Sequence, residues 1–199
     1  MSRTRGRPVQ GNELTRADII TAALELMHES GEVGLTMRAL SARLGVSPMA
    51  LYRHVEDKAG LIRALSDHVY AAVLQDVPHQ ANAALMIRTM LSRYHDAVCK
   101  HPQLTLAIFA NPQAFAGVTA QLTERLAKCL QQIAANPLLW RDVLVDHVHG
   151  SALALVSSQG DQAHAQAMRL QYQQALELLL ESIVRGTVSD PKTLEGRAP

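Results

Sequence analysis

The sequence predicts an all-α protein of about nine helices. Apolar residues recur every three to four positions along most of the chain, and no strand-like alternation of apolar and polar residues persists. Ala, Leu and Gln are plentiful, whereas aromatic residues make up only 4% of the chain, a composition that favours helices. Prolines and single glycines stand between the periodic segments, where helices begin or end.

The first helix is expected to begin at a capping box. Thr15 is the N-cap, and Asp18, three residues later, is an acidic partner that can return a hydrogen bond to the cap. An apolar stripe at helical spacing follows. Gly31 and Gly34 flank the break after it, so we expect this helix to end there.

Two short helices and a longer one are expected next. Thr36 is the N-cap of the second helix, and Gly45 ends it in the left-handed conformation. Ser47 caps the third helix with Pro48 at its first position, where the missing N–H has no partner to lose. The fourth helix is expected over about 57–78. Five further helices are expected at 80–100, 102–110, 115–133, 137–158 and 163–185, with Gly186 ending the last.

Two short helices joined by a Gly-containing turn and packed on a first helix predict a helix-turn-helix, whose second short helix lies in the major groove of DNA. Val46, Leu51 and Val55 are expected to face the core. The opposite face of the third helix, together with the N-terminus of the second, then supplies the candidate DNA contacts Thr36, Arg38, Ser47, Pro48, Met49, Ala50, Tyr52, Arg53, His54 and Lys58.

These candidates differ in the part of DNA they can reach. Tyr52, His54 and Lys58 can donate to phosphate oxygens, and the small residues early in the third helix permit close approach. Arg53 can pair with a guanine or with a phosphate, and both readings stay open. Any one of these side chains could also be an ordinary solvated surface residue.

The stretch "GLTMRALSARLGVSPMALYRHVEDKAGLIRAL" resembles the tetracycline-repressor (TetR) family of bacterial transcription regulators, over roughly residues 15–65. In that family the matching tyrosine, histidine and lysine contact the operator backbone, which implies this role for Tyr52, His54 and Lys58. Val55 stands where phenylalanine is more usual. Beyond about residue 75 the resemblance implies only a general plan, a helical domain that binds a ligand and forms a dimer.

The N-terminus carries Arg3, Arg5 and Arg7 ahead of any periodic pattern. This arm could enter a minor groove or bind phosphate, or it could be a disordered tail that aids solubility. No apolar stretch follows it, so we expect no signal peptide, no membrane partner and a cytoplasmic protein. Cys99 and Cys129 fit no metal or redox spacing and are expected to be reduced.

The last two long helices are the candidates for dimerisation. The eighth contains small residues that let a neighbouring backbone approach, and the ninth has more leucine than one solvent-facing helix should show. The candidate contacts are Gly150, Ala154, Tyr172, Leu176, Leu179 and Ile183. Both helices could instead belong to the core of one chain.

A ligand pocket is expected among the helices between about residues 65 and 158. Its candidate lining is His68, Met86, Met90, Tyr94, Phe109, Phe115, Leu122, Trp140 and His147, with His95 as a further polar partner. Ordinary core packing is the alternative for each. His147 and His149 are two residues apart, about 200° around a helix, so no metal site is expected.

The predicted organisation is a flexible basic arm over 1–12, a helix-turn-helix domain over 13–60, a ligand-binding and dimerisation domain over 61–186 and a loose tail over 187–199. We expect a homodimeric repressor that binds a palindromic double-stranded operator and is released by a small apolar or amphipathic effector, without a cofactor. A regulator controlled by a protein partner, or an all-α enzyme, is the alternative. The enzyme is disfavoured because no phosphate loop, nucleophile motif or zinc-hydrolase helix is present.

Overall fold

The computed structural model describes residues 14–75, 82–157 and 162–188, with side chains as far as residue 186. The described part contains nine α-helices and one 3₁₀ turn and no strand, which confirms the all-α prediction. The helices are α1 Arg16–Gly34, α2 Met37–Leu44, α3 Pro48–Tyr52, α4 Lys58–Leu74, α5 Ala83–Lys100, α6 Pro102–Ala110, α7 Val118–Leu130, α8 Pro137–Ser157 and α9 Gln162–Val188, with the 3₁₀ turn at Pro112–Ala114.

The capping box at the start of α1 is present as predicted. Thr15 N donates to Asp18 Oδ2 at 2.9 Å, and Asp18 N donates to Thr15 Oγ1 at 3.1 Å. The expected break is a kink inside the helix, because Gly31 adopts φ 66° while the helical turns continue to Gly34. This positive φ is open to glycine but strained for other residues.

The turn between α2 and α3 also forms as predicted. Thr36 Oγ1 caps α2 by accepting from Ala39 N at 3.0 Å, and Gly45 ends it at φ 66° and ψ 27°. Ser47 Oγ lies 3.3 Å from Ala50 N, with Pro48 at the first helical position. The connection is therefore fixed at both ends by caps that the sequence encodes locally.

The third helix is shorter than expected. It ends at Tyr52, so Arg53 and His54 lie in the following turn rather than on the helix. The backbone N–H groups of His54 and Val55 both donate to the Leu51 carbonyl, at 2.8 and 3.1 Å, which closes the helix.

The remaining helices pack around α4 and α5. α4 contacts α1 on one side and α5, α6 and α7 on the other, and α5 packs along α8. Leu61, Ile62 and Leu65 of α4 are fully buried in a core that runs without interruption through both halves of the chain. α4 and the packing of α1 on α6 therefore join the helix-turn-helix to the rest of the molecule.

The predicted boundaries of three further helices were wrong. α4 ends at Leu74 rather than near residue 78. α7 begins at Val118, because Gly117 at φ 60° interrupts the helix that was expected from Phe115, and it ends before Ile133. α9 continues past Gly186.

The proposed arm over 1–12, which includes Arg3, Arg5 and Arg7, and the tail beyond residue 188 lie outside the described residues. The division into domains stays a prediction. In the described ranges, no helix is both long enough and apolar enough to cross a bilayer.

Candidate DNA-binding surface and effector cavity

The outer surface of α3 presents the predicted candidates together. Met49 is 72% exposed and Tyr52 46% exposed, unusually high values for large side chains. Ser47, Pro48, Arg53 and His54 are exposed beside them, Ala50 is half-buried, and Thr36 and Arg38 are exposed at the start of α2. Leu51 and Val55 face the core as expected, whereas Val46 is half-buried. The motif thus leaves one accessible face of mixed apolar and basic character.

Lys58, the last of the predicted contacts, is held by an ion pair. Its Nζ lies 2.6 Å from Glu32 Oε1 and 3.4 Å from the Glu32 carbonyl oxygen. The pair joins the start of α4 to the part of α1 beyond the kink. To contact a phosphate, the ammonium group of Lys58 must therefore either break its ion pair with Glu32 or bind Glu32 and the phosphate at the same time.

Arg43 has a different role from the other basic residues of this region. Its guanidinium lies 2.6 Å from both carboxylate oxygens of Glu29, and 3.9 Å from a carboxylate oxygen of Glu25. The hydrogen bond that Arg43 donates to Glu29 raises the pKa of Arg43. Arg43 therefore fastens α2 to α1, and the positive charge left for a polyanion comes from Arg38, Arg53 and the partly engaged Lys58.

A cavity lies between α5, α6, α7 and α8. It encloses about 430 Å³ free of atoms, part of it open to solvent, and about 50 Å³ is available to the centre of a water molecule. Phe109 and Phe115, 54% and 52% exposed, border its opening. Its lining contains no Asp, Glu, Lys or Arg side chain. The lining residues are Tyr94, Thr105, Ile108, Phe109, Phe115, Thr119, Leu122, Thr123, Val145 and His149.

Tyr94 and His149 provide the polar contact inside this cavity. The Tyr94 hydroxyl lies 2.7 Å from His149 Nε2, and the two rings meet edge to face at 5.5 Å. Burial raises the pKa of Tyr94 and lowers that of His149, so both are neutral at neutral pH. The site can thus offer a ligand one donor and one acceptor, among aromatic edges that include Phe109 at 4.9 Å from His149.

The structure brings four of the predicted pocket residues to this cavity, namely Tyr94, Phe109, Phe115 and Leu122. The other candidates lie elsewhere: Met90 is fully buried in the core, Met86 and Trp140 pack half-buried against it, His68 is exposed on α4, and His147 lines a groove between α8 and α9.

Sequence reasoning missed His149 and the three threonines of the cavity. From the sequence, His149 is a candidate only for a metal site, which its spacing from His147 disfavours. A usable signal existed, because Val145 and His149 are four residues apart on α8, and Thr119 and Thr123 are four apart on α7. Each pair therefore shares one helix face with the rest of the lining.

A ring cluster joins α5, α8 and α9. The buried His95 ring stacks on Tyr172 with 3.8 Å between centroids, and His95 Nε2 lies 3.2 Å from Ser151 Oγ. His147 stacks on Tyr172 at 5.1 Å. Burial lowers the pKa of His95 to about 4. The described ranges hold no group of three or more His, Cys, Asp or Glu side chains placed to bind a metal ion.

The predicted dimer residues divide into two groups. Tyr172, Leu176 and Ile183 are 3%, 1% and 1% exposed, so they already pack inside their own chain, and Leu179 is half-buried. Gly150 and Ala154 on α8 are exposed. The leucines of α9 that remain accessible are Leu170 and Leu178, at 53% and 66% exposure. A partner could therefore cover the face of α9 that carries Leu170 and Leu178, next to the predicted face that is already buried.

The start of α7 is capped by another helix. Gly117, the residue before it, has no side chain, and Asp67 Oδ1 of α4 accepts from Val118 N at 2.8 Å. A Cβ added to Gly117 would lie 2.2 Å from Asp67 Oδ1. The close approach of α4 to α7 therefore depends on this glycine.

Comparison with known proteins agrees with this arrangement. Residues 19–65 match the family described as bacterial regulatory proteins, tetR family. The class D tetracycline repressor protein of Escherichia coli is 37% identical over 97 residues, 44% of this chain and 44% of that protein. The chain thus spans less than half the length of this relative.

Solved structures extend the likeness to nearly the whole chain. Mycobacterium smegmatis BioQ superimposes with a TM-score of 0.73 at 25% identity, covering 87% of this chain and 99% of the other. SCO7222, a TetR from Streptomyces coelicolor described as a transcriptional regulator, gives a TM-score of 0.69 at 26% identity with the same coverage. The helix-turn-helix at residues 19–65 therefore belongs to the tetR family of bacterial regulatory proteins, and the chain as a whole shares the fold of SCO7222, a TetR.

Proposed function

We propose that this protein is a transcriptional repressor that binds a palindromic operator as a homodimer and releases it when a small effector enters the cavity between α5 and α8. The observation that carries the proposal is the accessible outer face of α3 in a correctly capped helix-turn-helix. Met49 and Tyr52 are too exposed to serve the fold, and α3 is the helix that such motifs insert into the major groove.

The proposed DNA contacts fall into two kinds. Tyr52, His54 and Lys58 would donate to phosphates, while Met49 would meet base edges and Arg53 a base edge or a phosphate. In the dimer, the α3 helices of the two subunits would lie about one turn of DNA apart, roughly 34 Å. The chain would then work in the cytoplasm, where the chromosome is.

The proposed dimer contact uses α8 and α9. Gly150 and Ala154 leave room for a close backbone approach, and Leu170 and Leu178 supply apolar area that is exposed in the single chain. Leu170 and Leu178 thus take the place of Tyr172, Leu176 and Ile183, which the sequence suggested as dimer contacts but which are buried within the chain. Leu178→Glu should yield a monomer that stays folded, which sedimentation velocity would detect.

The proposed effector is an uncharged molecule with an apolar body and one hydrogen-bonding group. The cavity lining is apolar and aromatic apart from three threonines and the Tyr94–His149 pair. A ligand must prefer the conformation that does not bind DNA, or no switching follows. α6 contributes to the cavity and also packs on α1, which gives a route from the ligand to the DNA-binding helices.

The test is operator selection followed by titration. Fragments from upstream of the gene, and a random duplex library, would be mixed with the protein and the bound DNA sequenced. A palindromic site is expected, and Tyr52→Phe should weaken it without changing dimerisation. Lys128→Gln, on α7 and remote from α3, is the control. If no sequence is enriched, or if the control weakens binding as much as Tyr52→Phe, the proposal fails.

A regulator controlled by a protein partner is the second candidate. It is favoured by the small space in the cavity, where only about 50 Å³ admits the centre of a water molecule. Thermal-shift screening separates the two, because a ligand at 100 times its Kd adds roughly 2.7 kcal/mol of stability. A screen of neutral aromatic compounds without any stabilising hit would favour the partner-controlled regulator.

A further inference from the structure

A second cavity lies where α1 meets the beginning of α6. It encloses about 590 Å³ free of atoms, part of it open, and about 220 Å³ is available to the centre of a water molecule. It shares no residue with the cavity between α5 and α8. Its lining consists of Leu24, Met27, His28, Lys100, His101, Pro102, Gln103, Leu104 and Val156.

The polar groups of this junction cavity are basic or neutral. Lys100 and two imidazoles line it, and no carboxylate does. Among the described residues Lys100 makes no ion pair, in contrast to Arg43 and Lys58, which each pair with a glutamate. Burial and the charges of Lys100, His68 and His28 lower the pKa of His101. Positive potential therefore converges on this cavity without a counter-charge.

The rest of the wall is apolar. Met27 and Leu104 are 2% and 1% exposed and form its deep part, and Leu24 and Val156 complete it. A ligand that matches both the basic and the apolar part of the lining needs an anionic head and an apolar body. The cavity holds one permanent cation, since His101 is neutral at neutral pH, so a singly charged head is matched better than a doubly charged one.

We propose that the junction cavity binds a small molecule with a carboxylate on an apolar chain, held by Lys100 and the neighbouring imidazoles. The ammonium of Lys100 forms the charge-assisted contact. The apolar chain displaces water from Met27, Leu104 and Val156. This site is separate from the effector cavity, so its occupation can be measured in the absence of DNA.

The location gives the bound molecule access to both halves of the protein. Gln103 at the start of α6 lies against the kink of α1, where a Cβ built on Gly31 would be 3.4 Å from Gln103 Oε1. The residue after the kink, Glu32, holds Lys58 at 2.6 Å. Thr105, Ile108 and Phe109 of the same α6 line the effector cavity. A ligand here therefore touches α1 and α6 at the contact that joins the two parts.

Isothermal titration of the full chain with octanoate tests the proposal. One molecule is expected to bind per chain, and octylammonium, which has the same chain length and the opposite charge, should bind at least tenfold more weakly. Lys100→Gln should weaken octanoate binding by about tenfold or more, the loss typical of one charge-assisted hydrogen bond. Lys128→Gln, the same change on an exposed lysine of α7, should stay within twofold of the parent.

Two further variants locate the bound octanoate. Val156→Glu places a carboxylate at the cavity wall and should abolish binding, while Val156→Gln, of equal size, should retain it. Tyr94→Phe in the effector cavity should leave octanoate affinity unchanged. The proposal is overturned if octylammonium binds as tightly as octanoate, if Lys100→Gln binds octanoate as tightly as the parent, or if Tyr94→Phe removes octanoate binding. Circular dichroism at each step confirms that the exposed substitutions leave the fold intact.

Discussion

Glu32 restrains the lysine that we place on the DNA backbone. Lys58 Nζ is 2.6 Å from Glu32 Oε1, and the two side chains are 36% and 25% exposed. Glu32→Gln should tighten operator binding, because it frees the ammonium group and removes a negative charge close to the phosphates. An ion pair that remains partly exposed to solvent contributes about 0.2–1 kcal/mol. The affinity should therefore rise by a factor of about 1.4 to 5 for each DNA-binding head.

Lys58→Gln should act in the opposite direction and change the salt dependence. Each phosphate contact contributes about 0.9 to the slope of log K against log salt concentration, so a dimer that loses two contacts should lose about 1.8. Fluorescence anisotropy with a labelled operator across a salt series measures both quantities. Arg43→Gln breaks the comparable pair with Glu29 and should leave the slope unchanged.

Glu32→Gln and Lys58→Gln together show whether Lys58 contacts a phosphate or only stabilises the packing of α4 on α1. If Lys58 only fastens α4 to α1, Glu32→Gln and Lys58→Gln should weaken operator binding equally, with the slope preserved in both. That outcome would refute the assignment of Lys58 to the DNA backbone. Urea unfolding of each variant provides the check on stability, and either loss should stay below about 1 kcal/mol.

The remaining predictions concern stability and effector binding. The pKa of His95 is about 4 in the folded chain, so the unfolded chain takes up the proton first as pH falls from about 6.5 to 4; folding should weaken by about 2 kcal/mol at pH 5, and urea titration of His95→Gln should lose most of this difference. Gly45→Ala meets no atom within 4 Å but keeps φ +66°, so it should cost about 1–2 kcal/mol in unfolding, whereas Gly186→Ala, also unobstructed but helical, should cost nothing. Tyr94→Phe leaves His149 without its partner, and calorimetry should find about tenfold weaker binding of any compound that stabilises the parent, with operator affinity unchanged.

The parts of the fold that the sequence predicted correctly depend on neighbours a few residues apart. Thr15, Thr36 and Ser47 each cap the backbone N–H three residues later, and such contacts form wherever the local pattern occurs. The left-handed Gly45 is equally local. These features defined the helix-turn-helix and hence the accessible face of α3.

The errors arose where a residue's role depends on distant parts of the chain. Lys58 pairs with Glu32, 26 residues away, and no local pattern announces that contact. On α9 more than one face is rich in leucine, so spacing alone could not tell Leu176, which is buried, from Leu178, which is exposed. The effector cavity is likewise assembled from four helices, and of its lining only Tyr94, Phe109, Phe115 and Leu122 were predicted.

The cap that α4 provides for α7 has a consequence for how this protein can change over evolution. Gly117 and Asp67 constrain each other's replacement. A Cβ at position 117 would lie 2.2 Å from Asp67 Oδ1, so any side chain there would collide with this carboxylate. A lineage that replaces the glycine must also lose the aspartate, or move the two helices apart. In an alignment of close relatives, positions 67 and 117 should therefore vary together, although 50 residues separate them in the sequence.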